Sequence, residues 1–72
     1  MATSEADVKI AFREAYNLLI REKPERTPEY FMGLIERMQA IMDQYPKVIL
    51  LPFLMGTIYD YLDHVSKEEA KQ

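Results

Sequence analysis

The stretch TPEYFMGLIERMQAIMDQYP, from Thr27 to Pro46, decides the fold class of this chain. Thr27, Pro28 and Glu29 are typical of a helix start, because threonine caps free N–H groups, proline is tolerated at the first helical position and an acid suits the positive end of the helix dipole. Apolar residues then recur at spacings of three and four, namely Phe31, Leu34, Ile35, Met38, Ile41, Met42 and Tyr45. Pro46 disfavours helix at the residue before it, so we predict a helix over residues 28–44.

A helix is also predicted upstream, over residues 5–22. Ser4, followed three residues later by Asp7, has the capping-box pattern of a helix start. One stripe at helical spacing carries Val8, Ala11, Phe12, Ala15 and Leu19. Ile10 and Ile20 lie off this stripe, which gives the helix apolar side chains on a second face. The charged connection REKPERTPE, with two prolines, then breaks the pattern.

Downstream, the stretch KVILLPFLMG from Lys47 to Gly56 could form a strand or a helix. A single short strand has nothing to pair with in this chain. We therefore predict a third helix over residues 49–65, with Pro52 in its first turn, where N–H groups lack helical partners. A helix that began at Pro46 would instead be bent at Pro52. The predicted core stripe of this helix is Leu51, Met55, Ile58, Leu62 and Val65.

These segments predict an all-α fold, a three-helix antiparallel bundle that forms a single domain over residues 1–72. Polar, frayed ends are expected at residues 1–4 and 66–72. A chain of 72 residues buries only about 60% of its unfolded surface, so small domains often need disulfides, a metal or oligomerisation. The chain has no cysteine, which excludes disulfides and thiolate metal sites and leaves oligomerisation open.

Most of the chain, from Phe12 to Val65, carries a pattern of an AY–L pair, a TPEY helix start, a Tyr–Pro joint and an apolar third helix that ends in YL. In this pattern the chain resembles small helical proteins that are encoded in bacterial prophages and have no assigned function. The resemblance implies a mobile-element context and implies no chemistry.

Charge makes nucleic acid an unlikely partner, and hydropathy argues against a membrane span. The net charge is −3, whereas a protein that binds nucleic acid normally has an excess of basic residues. The longest apolar run, residues 48–55, is far shorter than the ~20 residues of a membrane span. The N-terminal sequence MATSEADVK also lacks the pattern of a signal peptide. We therefore expect a cytoplasmic protein that does not bind a membrane.

Few residues could take part in catalysis or bind a metal, and we predict no enzyme activity. Asp60, Asp63 and His64 share one helix face, but a metal site needs three or four ligands and none is evident nearby. We interpret them as a solvated face, expect neither a metal nor a cofactor, and keep an enzyme that uses these three residues as a distant hypothesis. The two glycines, Gly33 and Gly56, lie inside predicted helices, so there is no glycine-rich loop for a phosphate.

The apolar segment before and within the third helix predicts an association surface. It holds more large apolar side chains than the closed sides of a three-helix monomer can cover. The predicted interface residues are Ile49, Leu50, Leu51, Phe53, Met55 and Tyr59. In the alternative, the loop before the third helix folds back and plugs one end of the bundle.

Two functional hypotheses follow. The first is a small helical protein–protein interaction module that self-associates as a homodimer or larger oligomer and regulates or inhibits a host or phage protein. The alternative is a regulator that binds nucleic acid as a dimer through the basic region Arg13–Arg26, which contains Arg13, Arg21, Lys23 and Arg26. Glu14, Glu22 and Glu25 dilute this basic region, and we therefore favour the first hypothesis.

Overall fold

The first two helices begin at hydroxyl side chains that cap them. A computed structural model describes residues 4–70, with helices α1 (Glu5–Arg21), α2 (Pro28–Gln44) and α3 (Leu50–Ala70). Ser4 Oγ accepts a hydrogen bond from the Asp7 N–H at 3.0 Å, and Thr27 Oγ1 accepts one from the Tyr30 N–H at 3.2 Å. Both caps satisfy N–H groups that have no partner within the helix. The predicted start of each helix is confirmed.

The third apolar segment is a helix and contains its proline in the first turn. After α2 the chain turns twice, with hydrogen bonds from the Val48 N–H to the Tyr45 carbonyl and from the Leu51 N–H to the Val48 carbonyl, each at 3.1 Å. Helix α3 then begins at Leu50, so Pro52 lies where the helix needs no N–H donor. No strand occurs within residues 4–70, and the predicted all-α class is confirmed.

Helix α3 extends five residues beyond its predicted end at Val65. Ser66, expected in a frayed tail, is only 2% exposed. Its hydroxyl accepts a hydrogen bond from Arg26 Nη1 at 3.1 Å and donates one to the Asp63 carbonyl at 2.8 Å. Residues 66–70 are therefore helical, while 1–3 and 71–72 of the predicted frayed ends lie outside the described residues.

The core lies along α3, which packs against both other helices. The helices alternate in direction, because Arg13 of α1 lies near Tyr45 at the end of α2, and Phe31 of α2 lies against Tyr59 of α3. Helices α1 and α3 therefore run parallel to each other in the bundle, which measures 44 × 19 × 18 Å. The buried apolar residues are Ala11, Ala15, Leu18, Leu34, Met38, Val48, Leu51, Met55, Ile58 and Leu62.

The buried face of α1 differs from the predicted stripe. Ala11, Ala15 and Leu18 face the core, whereas Val8 and Phe12 are exposed. The two alanines let α1 approach α3 closely, because a methyl side chain needs little space between helices. This close approach turns the larger side chains of the predicted stripe out of the core and toward the surface.

Candidate association surface

The structure divides the predicted interface residues between the core and the surface. Leu51 and Met55 are buried within the monomer, so they are unavailable to a partner. Leu50 and Tyr59 are half-buried and pack against the core. Ile49 and Phe53 are exposed. The segment therefore contributes to both the core and the surface, because residues three or four apart in α3 face the core while those between them face outward.

The alternative, in which the loop before α3 folds back onto one end of the bundle, is correct in part. Val48 is buried at the end of the bundle, where the turn from Tyr45 to Leu51 brings it onto the core. This accounts for one apolar residue of the segment. Ile49 and Phe53 remain outside, so burial within the monomer does not account for the whole segment.

Helix α1 contributes an exposed apolar strip that the sequence interpretation missed. Val8, Phe12, Tyr16 and Ile20 follow one another at a spacing of four, and all are exposed. Four residues make slightly more than one helical turn, so such a strip winds slowly around the helix. The signal is visible in the sequence, but Val8 and Phe12 also fit a core stripe. The structure decides between the two interpretations.

A shallow depression of about 260 Å³ joins this strip to α3, and it is free of charged side chains. Its lining residues are Phe12, Ala15, Tyr16, Leu19, Leu54, Thr57 and Ile58. Phe53 lies one turn before Thr57 at the edge of this surface, and its side chain also lines the depression at the Tyr45–Ile49 turn. Tyr61 follows Thr57 by one further turn. We call the surface formed by Phe12, Tyr16, Leu19, Phe53, Leu54, Thr57 and Tyr61 the α1/α3 face.

The α1/α3 face differs from the depressions that α2 lines, each of which contains charged side chains. The depression beside Phe31 and Tyr59 includes Arg26 and Asp63. The one at the Tyr45–Ile49 turn includes Asp43. Charged groups favour contact with water. The α1/α3 face is therefore the described depression best suited to lose its water to an apolar partner.

The groove between α1 and α2 is larger, about 660 Å³, and polar. Its centre is Glu22, whose side chain is only 5% exposed. The Glu22 carboxylate accepts hydrogen bonds from the Tyr30 hydroxyl at 2.8 Å and from Arg37 Nε and Nη2 at 3.0 and 2.6 Å. Desolvation by burial, followed by the hydrogen bond to Glu22, raises the pKa of Tyr30 to about 12. The network fastens the end of α1 to α2.

The basic region Arg13–Arg26 is not a continuous cationic surface. Arg13 contacts the Glu14 carboxylate at 3.2 Å and the Tyr45 hydroxyl at 3.4 Å. Arg26 pairs with Asp63 and donates to Ser66. Arg21 and Lys23 are exposed between them, on either side of the buried Glu22. Two of the four cations are thus engaged within the monomer, which reduces what this region offers to phosphate groups.

The residues Asp60, Asp63 and His64 are not assembled into a site. Asp63 pairs with Arg26 and, at 3.2 Å, with Lys67. The hydrogen bond from Arg26 and then that from Lys67 lower the pKa of the Asp63 carboxyl. Asp60 and His64 are exposed. Within residues 4–70, no three His, Cys, Asp or Glu side chains are grouped so that they could hold a metal ion.

Comparisons with protein-family models, with curated proteins and with solved structures find no match. Among the described residues, no helix has both the length and the apolar character needed to cross a membrane.

Proposed function

We propose that this protein is a small helical protein–protein interaction module that self-associates through the α1/α3 face. The observation that carries the proposal is the exposure of four aromatic rings, Phe12, Tyr16, Phe53 and Tyr61, by 55 to 70%. Large aromatic side chains are typical anchors of protein interfaces, because each buries much apolar area with little loss of conformational freedom. Phe12 and Tyr16 line the depression of the α1/α3 face, whose described lining has no charged side chain, and Phe53 and Tyr61 lie beside it on α3.

The four exposed rings supply about 60% of the area that a stable dimer buries on each partner. A fully exposed aromatic side chain presents ~200 Å², so these four rings together leave roughly 500 Å² in water. The exposed side chains Val8, Ile20 and Ile49 extend this area. A stable dimer buries about 800 Å² on each partner, whereas the largest apolar patch of an ordinary monomer measures ~300–600 Å².

A charge placed on the α1/α3 face tests the proposal. We expect Phe12→Lys to weaken self-association by at least ~30-fold, since a central aromatic anchor contributes about 2 kcal/mol or more. The matched control is Ala40→Lys, an exposed position in the groove between α1 and α2, which should associate like the wild type. Sedimentation velocity over micromolar to millimolar protein measures both, and circular dichroism verifies that each variant is folded.

Two results would contradict the proposal. The first is a wild-type protein that stays monomeric at every concentration. The second is an equal loss of association in both lysine variants, which would place the contact away from the α1/α3 face. The companion variant Phe53→Lys tests how far the surface extends along α3, because Phe53 is the most exposed of the four rings.

The proposal includes a regulatory or inhibitory role in a phage or mobile-element context. Two features support it: the resemblance to prophage-encoded helical proteins, and the exposed aromatic side chains of the α1/α3 face. An interaction module of this size acts by occupying a surface of another molecule. Capture of the folded wild type and of Phe12→Lys side by side from a host lysate separates partners that need the α1/α3 face from those that do not.

A further inference from the structure

The exposed strip of α1 is symmetrical about its own midpoint. It reads Val8, Phe12, Tyr16, Ile20, which is an aliphatic, an aromatic, an aromatic and an aliphatic side chain at equal spacing. A two-fold interface places the same patch of both copies against each other, so each residue meets its counterpart on the other side of the axis. A strip with this order is complementary to a reversed copy of itself.

The charges beyond the two ends of the strip have opposite signs. Glu5 lies at the start of α1 and is exposed, and the solvent-exposed Lys9 lies 3.4 Å from it. Lys23 is exposed just after the end of α1. A reversed copy would bring the acidic end of one α1 next to the basic end of the other, twice in each dimer.

We infer that the partner is a second copy of this chain, packed with its α1 antiparallel to α1 across the α1/α3 face; this rests on the self-association proposed above. The two-fold axis lies in the plane between the two copies and is perpendicular to the helices. It passes midway between Phe12 and Tyr16. Phe12 then faces the partner's Tyr16, and Val8 lies at the same level along the helices as the partner's Ile20. Glu5 lies near the partner's Lys23. Because α1 and α3 run parallel within each copy, the same axis places α3 antiparallel to α3.

The other two-fold arrangement has its axis along the helices and is less favourable. It places α1 over α3 of the partner with both helices in the same direction, so the helix dipoles repel rather than attract. It also separates Glu5 from the partner's Lys23 by the length of α1, which is about 26 Å for 17 residues. In this arrangement the α1 strip would not lie against a reversed copy of itself.

Cross-linking distinguishes the two arrangements directly, because the chain has no cysteine of its own. Glu5→Cys and Lys23→Cys are made separately, mixed and treated with a thiol-specific linker shorter than two helical turns, ~11 Å. Both substitutions remove only exposed charges, which contribute little to affinity. Glu36→Cys, exposed on α2, gives the background of random collisions. Sedimentation of each mixture before linking reports whether dimers are present.

The antiparallel arrangement predicts that linked dimers of Glu5→Cys with Lys23→Cys form at least several-fold more than dimers of either variant with itself. Efficient linking of each variant with itself, at the level of the mixed product or above, would overturn the antiparallel arrangement and leave self-association intact. If sedimentation shows dimers but the mixed product does not exceed the Glu36→Cys background, the antiparallel arrangement is also overturned. A monomer in sedimentation would mean instead that the proposed self-association has failed.

Discussion

The two glycines stand inside helices for different structural reasons. A Cβ added to Gly33 would lie 2.9 Å from Arg37 Nη1, so the absence of a side chain leaves room for the guanidinium that holds Glu22. A Cβ added to Gly56 would meet no atom within 4 Å. Neither glycine has a positive φ among the described residues. Gly33 therefore supports a hydrogen-bond network, whereas Gly56 has no such role within the monomer.

This difference predicts a larger gain in stability for an alanine substitution at Gly56 than for one at Gly33. Gly56→Ala should raise the free energy of unfolding by ~0.5–1 kcal/mol, the ordinary advantage of alanine over glycine in a helix interior. Gly33→Ala should gain less or lose stability, because the Arg37 guanidinium must shift to make room for the Cβ. Urea unfolding of both variants measures the difference. Equal gains at the two positions would show that Arg37 does not need the space at Gly33.

Tyr30 should remain protonated to unusually high pH. Its pKa of about 12 in the folded protein exceeds the value of ~10 expected in the unfolded chain. The stabilisation linked to this shift is therefore complete below about pH 10 and is lost as the pH rises from there toward 12. Absorbance titration of tyrosinate should contain a component near pH 12 that disappears in Tyr30→Phe. An unchanged titration in Tyr30→Phe would contradict the assignment.

At the scale of the helices, local signals predicted the three starts and the end of α2, whereas the end of α3 depends on a long-range contact. Ser4, Thr27 and Pro52 mark helix starts through their own chemistry, and the structure places all three starts within one residue of the prediction. The end of α3 was missed because Ser66 is buried and accepts a hydrogen bond from Arg26, forty residues away in sequence. A polar sequence with such a partner is indistinguishable from a frayed tail until the fold is known.

The contact between Arg26 and the end of α3 leads to a prediction for that helix alone. Arg26→Ala should increase the rate of amide hydrogen exchange several-fold after Asp63, because the last turns lose their tie to the connection between α1 and α2. The first turns of α3 should be unaffected. Arg13→Ala is the matched control, since Arg13 contacts Glu14 and Tyr45 instead. Unchanged exchange in Arg26→Ala would mean that α3 holds its last turns without this tie.

For the molecule as a whole, the α3 half of the candidate surface was predictable and the α1 half was not. Phe53 was expected at the surface because the apolar residues of its segment outnumber the places in a small core. Phe12 was assigned to the core because it falls at helical spacing in the same apolar stripe as Ala11. Which of the two faces inward depends on how closely α1 approaches α3, and that distance is a property of the packed pair rather than of either helix.

Charge at the level of the molecule predicts weak binding to DNA. The net charge is −3, and the Arg13 and Arg26 side chains are held by groups of the same monomer. We expect no sub-micromolar retention of a random duplex at ~150 mM salt, since non-specific binding even by basic proteins has a Kd of about 10⁻⁴ to 10⁻⁶ M. Fluorescence anisotropy over a salt series measures it. Tight retention that weakens steeply with salt would favour the nucleic-acid alternative.

The dependence of α1 on α3 also determines when this chain can acquire its structure during translation. The ribosome makes α1 first and α3 last, yet the buried face of α1 lies chiefly against α3. A lone helix of 17 residues is only marginally stable in water. The nascent chain thus emerges with its apolar side chains uncovered and must wait for α3 before the bundle closes. Throughout that interval it is a substrate for chaperones and proteases, however stable the finished bundle is.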